Sequence, residues 1–367
     1  MRILQIIHDQ ERGGVQKLAG MIEQGLAPHR LAFETAYLYP RASVSVYSKL
    51  MYAMRMARFI WRGDFDTLIA YQSTASILVG AMGWLGGAKL RIVHQTCTPS
   101  ETPRLLRFMD RLCGTLGLYS ANIINSAATW AEFARYPARY RRSMVLIEHG
   151  LDASAPTQNR DQTRRRFDLP LSKPVLLNVG RLAAQKNQDV LIRALTCLPL
   201  AHLVLAGAGP EGNAFHTLAV TLGVDDRLHM LGALPDDDIA DLYAAADLFV
   251  FPSVWETFGL AAVEAAMAGM PMVVADLPAL REVLRADGSE PVTFVAPDDT
   301  EGWISRIAAA LAAPPVTQAG AAFARVIARK YSRQRMIESY LSLFEAKPLQ
   351  SRNELPGLHA TAEEVRH

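Results

Sequence analysis

The chain has 367 residues, half of them apolar and a fifth charged, with 44 glycines and prolines together. That length exceeds one ordinary core and fits two domains, and the composition excludes a disordered or collagen-like chain. The formal charge of +2, from 38 basic and 36 acidic residues, excludes a chain built as a whole to hold nucleic acid.

The opening segment MRILQIIHD lacks a long apolar run and a small-residue cleavage site, so it reads as a buried first strand over 3–7 and not as a signal peptide. Short apolar runs then alternate with helical patterns, and strands are expected at 33–37, 67–70, 91–95, 122–125 and 144–148. Between the second and third of these six strands, KLMYAMRMARFIWR at 49–62 places Leu50, Met54, Ala57 and Trp61 on one helical face and Arg55, Arg58 and Arg62 on another. An Ala/Pro/Thr/Gln/Asn stretch near 155 reads as a linker. Beyond it the alternation restarts, with strands at 175–179, 203–206, 228–231, 248–251, 272–275 and 293–295. The final helix, 333–345, carries Met336, Ile337, Tyr340, Leu341 and Phe344 at spacings of three and four, and is assigned to the first domain. The polar, unpatterned stretch 347–367 is expected to be a mobile tail.

This alternation is the sequence form of parallel sheets covered by crossover helices. The expected fold is α/β, with two Rossmann-like domains at 1–155 and 156–332. The total charge hides a split, because residues 1–155 hold 18 basic and 11 acidic residues while the remainder holds 20 and 25. A basic first half is a candidate for meeting an anionic partner or membrane surface. Cys97, Cys113 and Cys197 are odd in number, far apart and without a CxxC spacing, which fits a reducing cytoplasm and argues against a disulfide framework or zinc site. No stretch of about 18 uninterrupted apolar residues exists to span a bilayer.

In sheets of this kind ligands bind beyond the carboxyl ends of the strands. Gly13-Gly14 lies between the first strand and a helix beginning near Val15, where glycine lets backbone approach a ligand and helix-start N–H groups favour an anion. A tight strand-to-helix turn explains the same pair equally well. In VGRLAAQKN, Gly180-Arg181 follows a strand directly and Lys186 comes five residues later, so a guanidinium and an ammonium can hold a diphosphate from two sides. AGAGPEG at 206–212 satisfies GxGxxG, but it follows the second strand of its domain and the next strand ends without an acid, which argues against a dinucleotide-binding dehydrogenase. In FPSVWETFGLAAVEAAMAGMPMVVAD, Glu256 sits after a strand, Phe258-Gly259-Leu260 opens a helix, and Glu264 lies inside it among apolar neighbours. Helix-start N–H groups bind phosphate, carboxylates accept paired sugar hydroxyls, and a carboxylate in such surroundings needs a partner.

Glu256-x7-Glu264 within PSVWETFGLAAVEAAMAGMPMV, preceded by LYAAADLFVFP, resembles the signature of glycosyltransferase family 4, the retaining nucleotide-sugar transferases of the GT-B fold. Gly13-Gly14, His94 after the fourth strand, Ser126 opening a helix, Gly180-Arg181 with Lys186, and the GAGPE turn fall in matching order. The resemblance covers about 10–345, weakly in the first half and strongly in the second. It implies two Rossmann-like domains facing each other across a cleft. It also implies that Arg181 and Lys186 bind the donor diphosphate, Glu264 the ribose hydroxyls and Glu256 the transferred sugar. The N–H groups of Phe258, Gly259 and Leu260 would contact sugar and phosphate, Gly14 would approach the diphosphate from the opposite domain, and His94 would lie near the reacting sugar. A lone His after a strand is as often structural as catalytic.

The co-substrate implied is a nucleotide diphosphate sugar, with no further cofactor and no metal, since Arg and Lys supply the positive charge and the acidic run 236–238 reads as a helix start. The sequence departs from the family in His149, where Asn usually precedes Gly, and in ADLPALREV, which lacks the glycines usual before Glu282. The expected activity is hexose transfer in the cytoplasm to a glycan or lipid-linked oligosaccharide in polysaccharide or lipopolysaccharide assembly, with the basic first domain a candidate for an anionic membrane surface. Transfer to a small soluble acceptor and a non-catalytic sugar-nucleotide-binding regulator are the alternatives; no nucleic-acid partner is expected.

Overall fold

The computed structural model describes residues 1–10, 13–29, 31–40, 45–286, 290–313 and 317–345. The expected tail at 347–367 lies outside the described residues. The described residues divide into two compact units, one within Met1–Gly150 joined by Arg333–Glu345, the other within Leu151–Ser332. The first division therefore falls ahead of the 155 boundary expected from composition.

The first unit is built on β1 (Arg2–Ile7), β2 (Ala32–Tyr37), β3 (Thr67–Ala70), β4 (Leu90–His94), β5 (Ala121–Ile124) and β6 (Met144–Leu146), in the spatial order β2-β1-β3-β4-β5-β6. All neighbours pair in parallel. Strands β3 and β5 are buried along their whole length, which is why they read in sequence as continuous apolar runs, whereas the edge strand β2 is half open. Strand β6 stops at Leu146, short of the expected 148, and the Ile147 N–H still bonds the Ile124 carbonyl as the chain leaves the sheet. The helix Arg333–Glu345 returns to this unit through Met336, Ile337, Tyr340 and Leu343, and lies against the helix Gly14–Leu26. Gly25 makes that contact close, since a Cβ there would collide with Ile337.

The second unit holds β7 (Val175–Val179), β8 (His202–Ala206), β9 (Leu228–Gly232), β10 (Leu248–Phe251), β11 (Met272–Ala275) and β12 (Val292–Val295), in the order β12-β11-β10-β7-β8-β9, again all parallel. Its entry helix Arg160–Arg166 is set by a capping box between Asn159 and Gln162. Arg164 in that helix is fully buried and satisfied by the carbonyls of Ala245, Pro170, Leu171 and Lys173 and by the Asp247 carboxylate at 2.7 Å. Strand order reverses between β1 and β3 in the first unit and between β7 and β10 in the second. At such a reversal the loops leaving two adjacent strands diverge and open a crevice at their carboxyl ends.

Candidate active site

The loops after β7 and β10 carry Gly180, Arg181, Lys186, Glu256, Phe258, Gly259 and Leu260, so the second unit brings these expected site residues to its strand-order reversal. The two loops are joined to each other. Gln185 Nε2 donates to the Trp255 carbonyl at 3.0 Å, and the Val254 N–H donates to the Gln185 carbonyl at 2.8 Å. Asn187 is held in the left-handed region, φ 54°, where its short amide is tolerated. Its Nδ2 donates to the carbonyls of Pro252 and Pro297, at 3.2 and 2.9 Å. Beneath them the buried Gln188 Nε2 reaches the Arg181 carbonyl at 2.9 Å and Asn178 Oδ1 at 3.3 Å. Every one of these side chains fixes backbone, so the loop geometry is set before a ligand arrives.

On this frame Lys186 Nζ donates a hydrogen bond to Glu256 Oε1, with both side chains largely buried. The ammonium also lies 5.0 Å from the centre of the Phe251 ring. The sequence reading gave Lys186 and Glu256 separate ligand contacts; the structure makes them one ion pair. An ammonium has three donors, so Lys186 can hold Glu256 and still serve phosphate oxygens. Arg181 is exposed at the mouth of its loop, with a guanidinium suited to bidentate phosphate contact.

The helix Leu260–Met267 starts behind Gly259, whose φ of 84° no ordinary residue adopts cheaply. A Cβ there would also come within 2.6 Å of Leu280. Phe258 is buried edge-on against Tyr331 with ring centres 5.1 Å apart, anchoring the turn that presents the Gly259 and Leu260 N–H groups. Glu264 is half-buried, and the carboxylate partner that burial demands includes Tyr243, whose OH is 3.1 Å from Oε2. The same hydroxyl lies 3.1 Å from the Ala261 carbonyl. Burial and the nearby Glu264 carboxylate hold the Tyr243 phenol well above its usual pKa, so it stays protonated and serves as a donor.

The GAGPEG segment has a packing role. A Cβ on Gly207 would strike the Gly180 carbonyl and one on Gly209 the Leu182 carbonyl. The Gly180 and Leu182 N–H groups bond Ala206 and Ala208, at 3.0 and 3.1 Å. These glycines let the loop after β8 lie directly on the Arg181 loop.

In the first unit Gly13 precedes the helix Gly14–Leu26 in extended backbone, and no side chain caps that helix start. Gln16 Nε2 instead reaches back to the Asp9 carbonyl at 3.0 Å. His94 ends β4 and is buried, 4.6 Å from the Tyr71 ring and stacked on Tyr340 at 6.0 Å. The Tyr340 hydroxyl lies 3.3 Å from His94 Nε2. Burial pushes the His94 imidazole down to about 3, with the neighbouring His149 adding to the effect, so it is neutral at physiological pH. His149, the departure from the family pattern, is buried against Asn125 at 3.1 Å and pushed down to about 4. Ser126 caps the helix Ala127–Glu132, accepting from the Thr129 N–H at 3.1 Å.

Sequence reasoning missed Gln185, Asn187, Gln188 and Tyr243 around the second-unit site, and the Tyr71 and Tyr340 rings beside His94. Only Asn187 left a signal, as an Asn directly following Lys186 at a loop-to-helix junction.

Residues 159–327 match the family model of glycosyl transferases group 1. The D-inositol 3-phosphate glycosyltransferase of Mycolicibacterium smegmatis is 37% identical over 155 residues, covering 40% of this chain and 35% of that protein, so the match spans about a third of the curated relative. Among solved structures, HepE of Anabaena in complex with UDP-glucose aligns with a TM-score of 0.76 at 19% identity, over 94% of this chain and 99% of that one. WaaG, a glycosyltransferase involved in lipopolysaccharide biosynthesis, aligns with a TM-score of 0.73 at 17% identity, over 94% and 100% of the two chains. The chain has the GT-B fold of its structural neighbours, and its second unit matches the model of glycosyl transferases group 1 over 159–327, in line with the resemblance to family 4.

Proposed function

We propose that the protein is a retaining, metal-independent hexosyltransferase that moves a hexose from a nucleotide diphosphate sugar to a glycan or lipid-linked oligosaccharide in cell-surface polysaccharide or lipopolysaccharide assembly, at the cytoplasmic side. The observation that carries this reading is the Lys186–Glu256 pair, set by cross-braced loops one helical segment away from Glu264. Arg181 and Lys186 neutralise the diphosphate as it departs, Glu256 and the Gly259 and Leu260 N–H groups hold the sugar, and Glu264 accepts the ribose hydroxyls. Gly14 and His94 keep the roles that the family resemblance implies for them, and Gly13 and Gly180 supply the backbone freedom for donor binding.

In this reading the acceptor hydroxyl oxygen forms its bond to the anomeric carbon on the face from which the diphosphate leaves. The carbon–oxygen bond to the β-phosphate breaks, and the acceptor proton passes to the departing phosphate oxygen. Configuration is thereby retained, and the two cations supply the charge that a metal would otherwise supply. HepE was solved with UDP-glucose and WaaG acts in lipopolysaccharide biosynthesis, which supports the donor and pathway class. A second reading, transfer to a small soluble acceptor, is favoured by the relative named for inositol 3-phosphate.

The test is release of nucleoside diphosphate from a panel of nucleotide sugars, with membrane extract, with inositol phosphate and with neither. Turnover that needs the extract, survives a chelator and keeps the anomeric configuration supports the primary reading. Turnover with the soluble acceptor alone favours the second, and no turnover with any donor favours a binding protein.

A further inference from the structure

The helix Arg104–Leu116 is amphipathic with its apolar side outward. Its buried face is Asp110, Cys113 and Gly114, and the Asp110 carboxylate accepts from Tyr140 OH at 2.7 Å, Tyr119 OH at 3.0 Å and Gln95 Nε2 at 3.4 Å. Leu105, Phe108, Met109, Leu112 and Leu116 are all exposed, Leu105 by 69% and Phe108 by 64%. Their spacings of three, one, three and four residues make one continuous stripe. Arg104, Arg107 and Arg111 run beside it.

The stripe does not stand alone. The helices Val46–Arg62, Ser73–Leu85 and Arg104–Leu116 pack side by side in that order. On the first, Met56 and Ile60 meet the core while Tyr47, Leu50, Met54 and Trp61 are exposed. Trp84 and Leu85 are exposed at the end of the middle helix. Of the 21 exposed large hydrophobic residues among the described ones, 14 lie on these three helices. A soluble surface spreads such residues thinly, so this concentration marks a surface for contact.

Charge decides with what. The three helices carry Lys49 and six arginines, and their single acid, Asp110, is buried. Arg55, Arg58, Phe59, Arg62 and Gly63 surround a shallow depression of about 450 Å³, which gathers three guanidiniums around a space suited to phosphate. A second copy seated on this face would bring seven cations against seven, and a duplex nucleic acid would leave the apolar stripe in water. An anionic bilayer satisfies both features at once, taking aromatic and aliphatic groups into the headgroup boundary and lipid phosphates onto the arginines.

We propose that this three-helix face docks the protein on an anionic membrane surface. No helix among the described residues is long and apolar enough to cross a membrane, so the contact is peripheral. The docking stands independently of the transferase reading, because it is measured without donor or acceptor.

The full chain is floated with vesicles of phosphatidylcholine alone and with phosphatidylglycerol added. The expected result is flotation with the anionic vesicles, at least tenfold less with the neutral ones, and weakening as salt rises. The variant Leu105→Ser/Phe108→Ser/Leu112→Ser should bind at least tenfold less with an unchanged melting curve, since these side chains touch no core. Arg55→Glu/Arg58→Glu should do the same through charge. Absence of flotation at low salt, equal flotation with neutral vesicles, or wild-type flotation by both variants overturns the proposal. A dimer in sedimentation that the triple variant dissolves, without flotation, assigns the face to a second copy instead. Nucleoside diphosphate release measured without vesicles reports separately on the transferase reading.

Discussion

The two units build the same six-stranded parallel sheet and furnish its surroundings differently. In Leu151–Ser332 the carboxyl edge is polar and cross-braced: Gln185, Asn187 and Gln188 each spend a side chain on backbone, and the loops after β7 and β10 carry the charges Arg181, Lys186 and Glu256. In Met1–Gly150 the groups at the end of β4 are rings, His94 between Tyr71 and Tyr340, and the outer helices expose apolar stripes edged by arginine. A ligand held by charge and fixed backbone demands particular residues at particular places. A surface recognised by area and net charge can be built from many combinations. This explains why the family model matches 159–327 and not the first half.

Acid should separate the units most. His94 and His149 are held at about 3 and about 4, below the unfolded value of about 6.5. The unfolded chain therefore takes up protons first, so the stability these residues contribute is complete above pH 6.5 and is lost as pH falls from there through 4 toward 3. In the second unit Asp247, held low mainly by its Arg160, Val175 and Arg164 hydrogen bonds against a burial cost, loses its contribution only below the ordinary carboxylate range, while His202 and His229 add a smaller loss above it. Hydrogen exchange at pH 7 and pH 5 should show protection falling first in β4 and β5; parallel loss in β7 and β10 would break the comparison.

Replacing Lys186 by Ala should lower the rate of nucleoside diphosphate release by about 10²–10³-fold, the usual cost of losing one preorganised electrostatic group. The melting temperature should also fall, because Glu256 is left largely buried without its cation, so the rate is read well below the melting range, where a value within threefold of wild type would remove Lys186 from the leaving-group role. Gly259→Ala should destabilise the second unit by about 1–2 kcal/mol through its left-handed backbone alone, with the Leu280 contact adding to it. Urea denaturation reads this, and an unchanged midpoint would mean that the turn relaxes freely. The smallest effect is expected for Tyr243→Phe, which should weaken nucleotide binding by about 0.5–1.5 kcal/mol by loosening Glu264. If calorimetry finds no change, Glu264 is positioned by its other contacts.

The twelve strands among the described residues were legible because each is a short, mostly apolar run between helical patterns, continuous where the strand is buried on both faces as in β3 and β5, and only ends such as that of β6 moved. The site was legible in part. Glu256 and Glu264 stand eight residues apart on one segment, so their relation is local. The Lys186–Glu256 pair joins positions 70 residues apart, and the Asn187 bond to Pro297 spans 110, distances at which no sequence period survives. Periodicity also says that a helix has two unlike faces without saying which is inward. On Arg104–Leu116 the core took Asp110, Cys113 and Gly114 because Tyr119 and Tyr140 satisfy the carboxylate, and Gly114 leaves room for the Tyr140 ring. On Val46–Arg62, likewise, the face of Leu50, Met54 and Trp61 is the outer one.

The central claim is that the second unit holds a nucleotide diphosphate through Glu264 and its neighbours. Calorimetric titration of uridine, guanosine and adenosine diphosphates into the full chain and its Glu264→Ala variant tests it most directly. The account predicts saturable binding of at least one of them, weakened tenfold or more in the variant, as expected when hydrogen bonds to a charged group worth about 1.5–3 kcal/mol are lost. Equal affinity in the two proteins, or no binding by either, would contradict it.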